Sequence, residues 1–381
     1  LHLSKCSFRG TIVCMKSRAA VLFKAGQPFE VCEIDVQLPK VGEVLVEVVA
    51  AGVCHTDYSV KTGQLAAPLP AILGHEGAGI VREVGEGVTT VQPGDHVIPL
   101  WRLACGDCEY CDASRPALCA AGTEIRASGR LQDGTSRFSY AGREIKHFAG
   151  VSSFSNFTVI PEGAVLKIPR DLPLELAALM GCAVITGVGA VMNAAKVGPG
   201  SLVAVFGAGG VGVNVVQGAA MAGAKMIIAV DRYESRLNQA REFGATHCVS
   251  AAGNETVSAI RALTGGRGVD YAFDAAGLEV TLEQAYESLA KCGVAMAVGI
   301  PPNNAKISIS AAALVYEERA VTGSLYGSAA PRRDIPQLIN WYRDGELKLD
   351  DLLTRTFAIE EINEAYAAME SGETLRSVIK Y

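Results

Sequence analysis

Hydrophobic and polar positions follow two different patterns along the chain. From about Arg18 to Leu100, short segments of alternating apolar and polar residues are separated by proline and glycine, a pattern typical of antiparallel strands. From about residue 183, continuous apolar runs alternate with stretches of helical periodicity, as expected for strands buried on both faces of a parallel sheet. The clearest strands are Val44–Ala50 and Gly79–Gly85 in the first part, and Leu202–Phe206, Met226–Val230, Val269–Phe273 and Val294–Ile300 in the second.

The pattern changes again near the C-terminus. Two amphipathic segments, 331–342 and 359–370, follow the last predicted strand without a further strand and helix unit. Because the β-rich part lacks closing elements of its own, we expect this tail to return to it. The predicted fold class is α/β, with a β-rich domain formed by 1–183 and 326–381 and a doubly wound parallel sheet in 184–325. We interpret residues 1–14 as an extension, with Met15 as a candidate start.

Composition narrows the possible partners. The chain carries a formal net charge of −6, which disfavours nucleic acid because such a partner needs a basic face. The apolar runs named above are shorter than the roughly 20 residues of a membrane helix, so we expect no membrane span. Eleven cysteines without a signal-peptide pattern indicate metal ligands and buried thiols in a cytoplasmic protein.

A glycine-rich turn follows the strand Leu202–Phe206. In Gly207-Ala-Gly-Gly-Val-Gly212 the first, third and last residues have the spacing of a dinucleotide-binding loop, although an ordinary strand-to-helix turn has the same appearance. Asp231 follows 19 residues after Gly212, at the end of the next strand, where a carboxylate binds the adenosine ribose hydroxyls. This favours NAD over NADP, since a 2′-phosphate meets like charge there, although Arg236 nearby could weaken the discrimination.

Four cysteines form a local cluster. Cys105, Cys108, Cys111 and Cys119 have the spacing C-x2-C-x2-C-x7-C, which lets four thiolates surround one tetrahedral zinc and leaves no open position. A closed site of this kind is structural rather than catalytic. An iron–sulfur cluster is the alternative that the cysteine content also fits.

A second set of candidate ligands is scattered along the chain. Cys54, His75 and Cys182 each fit a buried thiol or a hydrogen-bonded core histidine when taken alone. Together they offer two sulfurs and one nitrogen to a zinc with an open fourth position, a ligand set found in alcohol dehydrogenase.

These segments together resemble the zinc-containing medium-chain dehydrogenases, particularly the longer alcohol dehydrogenase branch that includes the animal liver enzymes. The resemblance runs from about Arg18 to Tyr381. It implies a GroES-like β-rich domain, a Rossmann domain, two zinc ions per chain, NAD as cofactor and a homodimer, with a tetramer as the alternative. The segments that carry it are Gly52-Val-Cys-His-Thr-Asp57, Gly74-His-Glu-Gly-Ala-Gly79, the four-cysteine segment, Asp133-Gly-Thr-Ser-Arg-Phe138, Gly181-Cys182, the glycine-rich loop and Arg376.

The resemblance also implies roles for individual residues. Cys54, His75 and Cys182 would hold the catalytic zinc, whose open position takes the substrate oxygen. Thr56 matches a hydroxyl that relays the substrate proton, and Glu76 matches a carboxylate that tunes the zinc. Asp57 is placed to orient His75. His55 and Arg376 match positions that contact the cofactor pyrophosphate, and Val298 is placed against nicotinamide, although an apolar strand residue also fits the core. The predicted cofactor-binding residues are His55, Gly207, Gly209, Gly210, Val211, Gly212, Asp231, Arg236, Val298 and Arg376.

Three positions depart from relatives and bear on the substrate. Ser59 stands where some liver-type enzymes carry a histidine, so we expect the proton relay to end in the cofactor ribose and water. Thr123 stands where glutathione-dependent formaldehyde dehydrogenases carry an arginine. Trp101 takes a position that lines the substrate pocket in the family, where an aromatic wall favours hydrophobic substrates, although core packing is an equal interpretation.

The sequence therefore predicts an NAD-dependent, zinc-type alcohol dehydrogenase acting on primary aliphatic or aromatic alcohols and aldehydes. The first alternative is S-(hydroxymethyl)glutathione dehydrogenase, against which Thr123 counts. The second, from another class, is a catalytically silent scaffold that binds zinc and nucleotide, since a fold does not guarantee a function.

Overall fold

The computed structural model of the chain describes residues 3–7, 11–251 and 255–381. The chain divides into two compact units. The first unit contains Leu1–Cys182, Ala330–Pro336 and Leu353–Tyr381, and the second contains Ala183–Ala329 and Gln337–Leu352.

The strands of the described residues are β1 (Leu3–Ser7), β2 (Thr11–Leu22), β3 (Glu30–Gln37), β4 (Glu43–Gly52), β5 (Ala71–Ile72), β6 (Ala78–Val84), β7 (His96–Pro99), β8 (Phe138–Tyr140), β9 (Arg143–His147), β10 (Phe157–Pro161), β11 (Val165–Ile168), β12 (Leu202–Phe206), β13 (Met226–Asp231), β14 (His247–Ser250), β15 (Val269–Asp274), β16 (Leu289–Ala297), β17 (Ala320–Gly323), β18 (Leu353–Ala358) and β19 (Arg376–Lys380).

The α-helices of the same residues are α1 (His55–Thr62), α2 (Glu109–Asp112), α3 (Ala120–Ser128), α4 (Leu174–Leu179), α5 (Ile185–Gly189), α6 (Gly210–Met221), α7 (Glu234–Glu242), α8 (Thr256–Leu263), α9 (Glu279–Glu287), α10 (Ala311–Tyr316), α11 (Pro331–Arg343) and α12 (Ile362–Ser371). Two π-helical segments, Met180–Val184 and Ala190–Ala195, adjoin α5. Short 3-10 turns lie at Pro116–Leu118, Glu162–Ala164, Tyr326–Ser328, Asp350–Leu352 and Ile359–Glu361.

The first unit is built from two sheets. One has the order β1-β2-β3-β8-β9-β5, and β5 also pairs with β2, so the sheet closes on itself. The other has the order β11-β7-β6-β4-β19-β18, with β10 also paired to β4. Alternate residues of β4, such as Val44 and Val46, pack with Val81 and Val97 in a buried cluster, as the alternating sequence predicts.

The second unit is a six-stranded parallel sheet of order β14-β13-β12-β15-β16-β17. Its apolar strands are buried on both faces and pack against helices that include α8 and α9. The predicted α/β class, with a β-rich part and a Rossmann-type sheet, is confirmed.

Some predicted elements differ from the observed ones. The alternating pattern predicts only strands before Leu100, whereas α1 lies there, because an eight-residue helix with Val60 as its one buried apolar residue gives no helical period. The predicted strand Val294–Ile300 is observed as β16, which ends at Ala297. It ends there because the amides of Val298 and Gly299 both donate to Asp274 O, at 2.9 and 2.8 Å.

The C-terminal tail also differs from its predicted boundaries. The sequence assigns all of 326–381 to the β-rich domain, whereas Gln337–Leu352 belongs to the second unit. Lys348 of this segment is bound by the Gln217 side chain of α6, which donates to Lys348 O at 3.1 Å and accepts from Lys348 N at 2.8 Å. These bonds hold the segment to α6.

One long apolar helix is absent from the elements predicted above. Leu174–Ala195 is a 22-residue helix that is long and apolar enough to cross a membrane by length and composition. Its most apolar window is 94% buried inside the protein, which is how a core helix behaves.

Candidate metal and cofactor sites

The scattered ligand candidates lie together in the first unit. The ligand atoms of Cys54, His75, Glu76 and Cys182 all fall within 4.8 Å of one another, and all four residues are buried. We call them the buried cluster. Cys54 immediately precedes α1, His75 and Glu76 lie between β5 and β6, and Cys182 lies in the π-helical segment after α4.

A buried carboxylate fixes the orientation of His75. Asp57 Oδ2 lies 2.9 Å from His75 Nδ1, and Asp57 Oδ1 accepts a hydrogen bond from Gly74 N at 2.9 Å. Burial disfavours the charged imidazole, but the negative charges of Asp57 and Cys54 outweigh it and raise the pKa of His75 well above its usual range. Because Nδ1 faces Asp57, Nε2 is the nitrogen free to ligate a metal ion, the arrangement that usually orients ligand histidines.

The two thiols of the buried cluster influence each other. A hydrogen bond from Cys182 lowers the pKa of Cys54 well below its usual range and, together with burial, raises that of Cys182. The thiolate is the form that binds metal. Cys54 is therefore prepared as a ligand, and Cys182 releases its proton when a metal ion binds.

Glu76 forms a buried ion pair with Arg376, whose Nη2 donates to Glu76 Oε2. Burial raises the pKa of Glu76 to about 7, and Arg376 opposes this increase. Gly52 leaves room for the carboxylate, because a Cβ there would meet Glu76 Oε2 at 2.1 Å. Sequence reasoning predicted Glu76 and Arg376 separately but missed their contact, since they are 300 positions apart.

The other residues predicted to lie near the buried cluster are on α1 or in contact with His75. Thr56 is half-buried and His55 is exposed, both at the start of α1, and Ser59 lies on the same helix. Trp101 is buried, and its ring packs edge to face against His75 with centroids 5.9 Å apart. Their predicted relay, pyrophosphate and substrate roles remain predictions.

Two arginines next to Trp101 were not anticipated. The guanidinium carbons of Arg102 and Arg126 lie 5.1 and 6.0 Å from the centre of the Trp101 ring. Neither residue belongs to a recognisable motif, so only the adjacency of Trp101 and Arg102 in the sequence indicates this contact.

The four-cysteine lobe, Cys105, Cys108, Cys111 and Cys119, also brings its sulfurs within 4.8 Å of one another. Cys119 is buried and the other three are partly exposed. Backbone amides of Ala120 and Cys111 lower the pKa of Cys108 to about 6, so the loop itself stabilises a thiolate. Four sulfurs at these distances fit a tetrahedral zinc, which needs sulfurs about 3.8 Å apart.

The glycine-rich loop has the geometry that its sequence predicts. Gly207 has φ +89°, a conformation that other residues avoid, and a Cβ on Gly212 would lie 1.7 Å from Gly207 O. Gly209 caps α6, whose first residues are Gly210 and Val211, and a Cβ on Gly209 would meet only Arg236 at 4.0 Å. The helix N-terminus is thus open to a pyrophosphate, as in dinucleotide-binding proteins.

Asp231 lies beside this loop at the end of β13. Its Oδ2 accepts from Ala208 N at 2.8 Å, and its Oδ1 accepts from Tyr233 N at 2.9 Å. Arg236 Nη1 lies 3.9 Å from Asp231 Oδ2. Val298 is buried just beyond β16. Asp231 therefore supports the loop as well as presenting a carboxylate beside it.

Two family models match this chain. Residues 40–170 match the alcohol dehydrogenase GroES-like domain, and residues 210–344 match the zinc-binding dehydrogenase family. The chain is 43% identical to S-(hydroxymethyl)glutathione dehydrogenase of Paracoccus denitrificans, over 96% of this chain and all of the relative.

Two crystal structures are also similar over 96% of this chain and 99% of theirs, each with a TM-score of 0.91. One is an alcohol dehydrogenase zinc-binding domain protein from Burkholderia ambifaria, at 39% identity. The other is benzyl alcohol dehydrogenase from Acinetobacter calcoaceticus, at 36% identity.

Proposed function

The chain belongs to the zinc-dependent alcohol dehydrogenase family, and from this premise we propose that it transfers a hydride between the hydroxymethyl carbon of S-(hydroxymethyl)glutathione and NAD. The predicted family, enzyme class and cofactors, zinc and NAD, are confirmed. The observation that carries the substrate is the match to the full length of a relative that bears this name. The sequence had ranked this substrate second, because of Thr123.

A primary aromatic or aliphatic alcohol is the second candidate substrate. Similarity to benzyl alcohol dehydrogenase and the aromatic ring of Trp101 beside His75 favour it. Thr123, in place of an arginine, favours it as well. Both candidates share the oxidation of a hydroxymethyl group. The silent scaffold has little support, since the relatives are dehydrogenases and the buried cluster keeps every candidate ligand.

In the proposed mechanism, Cys54, His75 and Cys182 would hold a zinc ion, which would supply Lewis-acid stabilisation of the substrate oxygen. Asp57 keeps the His75 ring oriented and compensates its charge. The Thr56 hydroxyl accepts the hydrogen bond of the substrate hydroxyl and passes its proton on. Since Ser59 offers no imidazole, the next proton acceptor would be water or a ribose hydroxyl of the bound cofactor.

The remaining roles concern charge and cofactor. Glu76, paired with Arg376, adjusts the negative charge around the thiolates. Gly207, Gly209 and Gly212 would let the backbone approach the pyrophosphate of NAD, and Asp231 would bind its ribose hydroxyls. His55 and Arg376 would add donors for the pyrophosphate, and Val298 would contact the nicotinamide.

The test is NADH formation by the purified protein with S-(hydroxymethyl)glutathione, benzyl alcohol and primary alkanols. We expect kcat/KM to be highest for S-(hydroxymethyl)glutathione, and NADP to be a poor substitute for NAD. Higher kcat/KM for benzyl alcohol would transfer the assignment to the second candidate. Absence of turnover with every alcohol would contradict both.

We also propose a homodimer and a cytoplasmic location. The edge strand β17 pairs on one side only within the described chain, and Val315 and Tyr316 of the preceding α10 are 74% and 84% exposed. Bare edges and exposed apolar residues are features of subunit interfaces. Sedimentation should give a dimer that Tyr316→Asp weakens, whereas a tetramer or monomer would contradict this. The clustered cysteines are free thiols, a state that a reducing compartment preserves, and cell fractionation tests it.

A further inference from the structure

Two arginines next to Trp101, Arg102 and Arg126, have no carboxylate in direct contact among the described residues. Arg102 is buried, with 8% of its surface exposed, and its Nη1 donates to Thr123 Oγ1 at 3.2 Å. Its Nε is buried without an acceptor. Among the described residues, neither Arg102 nor Arg126 has a carboxylate oxygen within the 4.0 Å of an ion pair.

This arrangement is costly. Burial and the charge of Arg126 lower the pKa of Arg102 to about 10, although the Cys119 thiol opposes this decrease. Burial also lowers the pKa of Arg126, although the charge of Asp57 opposes it. The face of the Trp101 ring offsets part of the cost through cation–π contact. A buried guanidinium usually needs an anion to be stable.

The other buried arginines of the same unit have such an anion. Arg137 Nε donates to Glu43 Oε2 at 2.8 Å, and Arg376 donates to Glu76. Arg102 and Arg126 differ from these residues, because no carboxylate of the described residues contacts either guanidinium group directly.

We propose that Arg102 and Arg126 bind the carboxylate of an anionic alcohol substrate beside the buried cluster. This rests on the proposed function, because it assigns a substrate class to the same site. Trp101 connects the two places, since its ring contacts both guanidinium groups and His75. Thr123 supports this arrangement, because its hydroxyl accepts the hydrogen bond of Arg102 Nη1.

The substrates that this site would bind are primary alcohols or hydroxymethyl adducts that carry a carboxylate. Para-hydroxymethylbenzoate and the neutral para-methylbenzyl alcohol form a matched pair of probes with the same reacting carbon. A charge-assisted hydrogen bond changes binding roughly 10- to 100-fold. Arg126→Met should therefore lower kcat/KM for the carboxylate by about this factor, mainly through KM, and leave the neutral alcohol nearly unchanged.

The matched control removes an arginine that has a partner. Arg130, just after α3, donates from Nε to Glu144 Oε1 at 3.1 Å, so Arg130→Met changes the net charge equally and should affect neither probe. Arg126→Lys should keep part of the preference for the carboxylate. Arg102→Gln provides a second variant with the same expected loss. Equal losses for both probes, or no loss for the carboxylate, would overturn the arginine site.

Calorimetric titration with benzoate separates this site from the proposed function, because it needs no turnover. Binding that Arg126→Met weakens about tenfold or more supports the site even where no alcohol is oxidised. Benzoate binding that is equal in the wild type and in Arg126→Met, in an enzyme that oxidises alcohols normally, would overturn the site and leave the dehydrogenase assignment standing.

Discussion

The two cysteine clusters of the first unit use the same sulfur chemistry in different surroundings. The lobe takes all four thiols from one short segment, and its thiols are mostly partly exposed. The buried cluster joins two thiols, an imidazole and a carboxylate from three distant segments. The buried cluster is backed by two further buried ionisable groups, Asp57 behind His75 and Arg376 behind Glu76.

This difference indicates what distinguishes a structural zinc site from a catalytic one. Four thiolates complete a tetrahedral shell and need only a loop that points them inward. Three ligands leave a position for substrate, and buried partners must then hold them in place and balance their charge. The surroundings, more than the sulfurs, separate the two roles.

The largest effect should come from removing a ligand of the buried cluster. Cys54→Ala should lower kcat at least about 1,000-fold, because Lewis-acid stabilisation is worth several kcal/mol. Bound zinc should fall from about two to about one per chain. NADH formation and metal analysis measure these changes, and Cys32→Ala, which removes a free thiol of β3, is the control. Full activity with one zinc ion would show that the cluster is not catalytic.

The next largest effect should come from removing Arg376, the ion-pair partner of Glu76 in the buried cluster. Arg376→Met leaves the Glu76 carboxylate buried without its cation, which should cost about 3–5 kcal/mol in the free energy of unfolding. Glu76→Gln combined with Arg376→Met should recover part of this loss, because no uncompensated charge remains. Urea unfolding measures both, with the surface pair variant Arg130→Met expected to cost less than about 1 kcal/mol. Equal losses in the single and double variants would argue against the ion pair.

A change in the lobe should affect stability more than chemistry. Cys108→Ser should remove about one zinc ion per chain and lower Tm by about 5–10 °C, since a structural zinc contributes directly to folding. The folded variant should keep most of its kcat at low temperature. Calorimetry and activity assays check this, and a loss of kcat as large as that of Cys54→Ala would contradict the division of roles.

A smaller effect is expected from His147, a second buried histidine whose surroundings differ from those of His75. His147 Nε2 accepts from Arg137 N at 3.2 Å, and burial together with the charge of Arg137 lowers the pKa of His147 to about 3. Below its ordinary pKa near 6.5 the unfolded chain therefore binds more protons than the folded one, so stability falls as pH decreases. From pH 8 to pH 5 the loss should be about 2 kcal/mol.

The control for this pH effect is His147→Gln, which should flatten that part of the curve in urea unfolding. His75 differs because Asp57, a negative partner, raises its pKa. An unchanged slope in the variant would mean that other groups govern the acid side of the stability curve.

Features with a local signature could be predicted from the sequence. The lobe and the glycine-rich loop each lie within one short segment, and the strand Leu202–Phe206 is a single apolar run, so spacing alone identifies them. The spacing between Cys54, His75 and Cys182 matches no local motif, so only the resemblance to a family connects them. The fold brings them together from the start of α1, the connection between β5 and β6, and the π-helical segment after α4.

Other features depend on tertiary contacts that no local pattern encodes. Glu76 meets Arg376 across 300 positions, and Arg126 reaches Trp101 from the helix α3. The placement of Gln337–Leu352 in the second unit depends on hydrogen bonds to Gln217. In each case the deciding interaction joins residues far apart in sequence.

The central claim is that the buried cluster holds a zinc ion distinct from that of the lobe. Anomalous diffraction from crystals of the wild-type protein, measured above and below the zinc absorption edge, tests it most directly. The account predicts two peaks per chain, one among Cys54, His75 and Cys182 and one among the four lobe cysteines. A zinc peak confined to the lobe, in crystals of protein that oxidises alcohols, would contradict it.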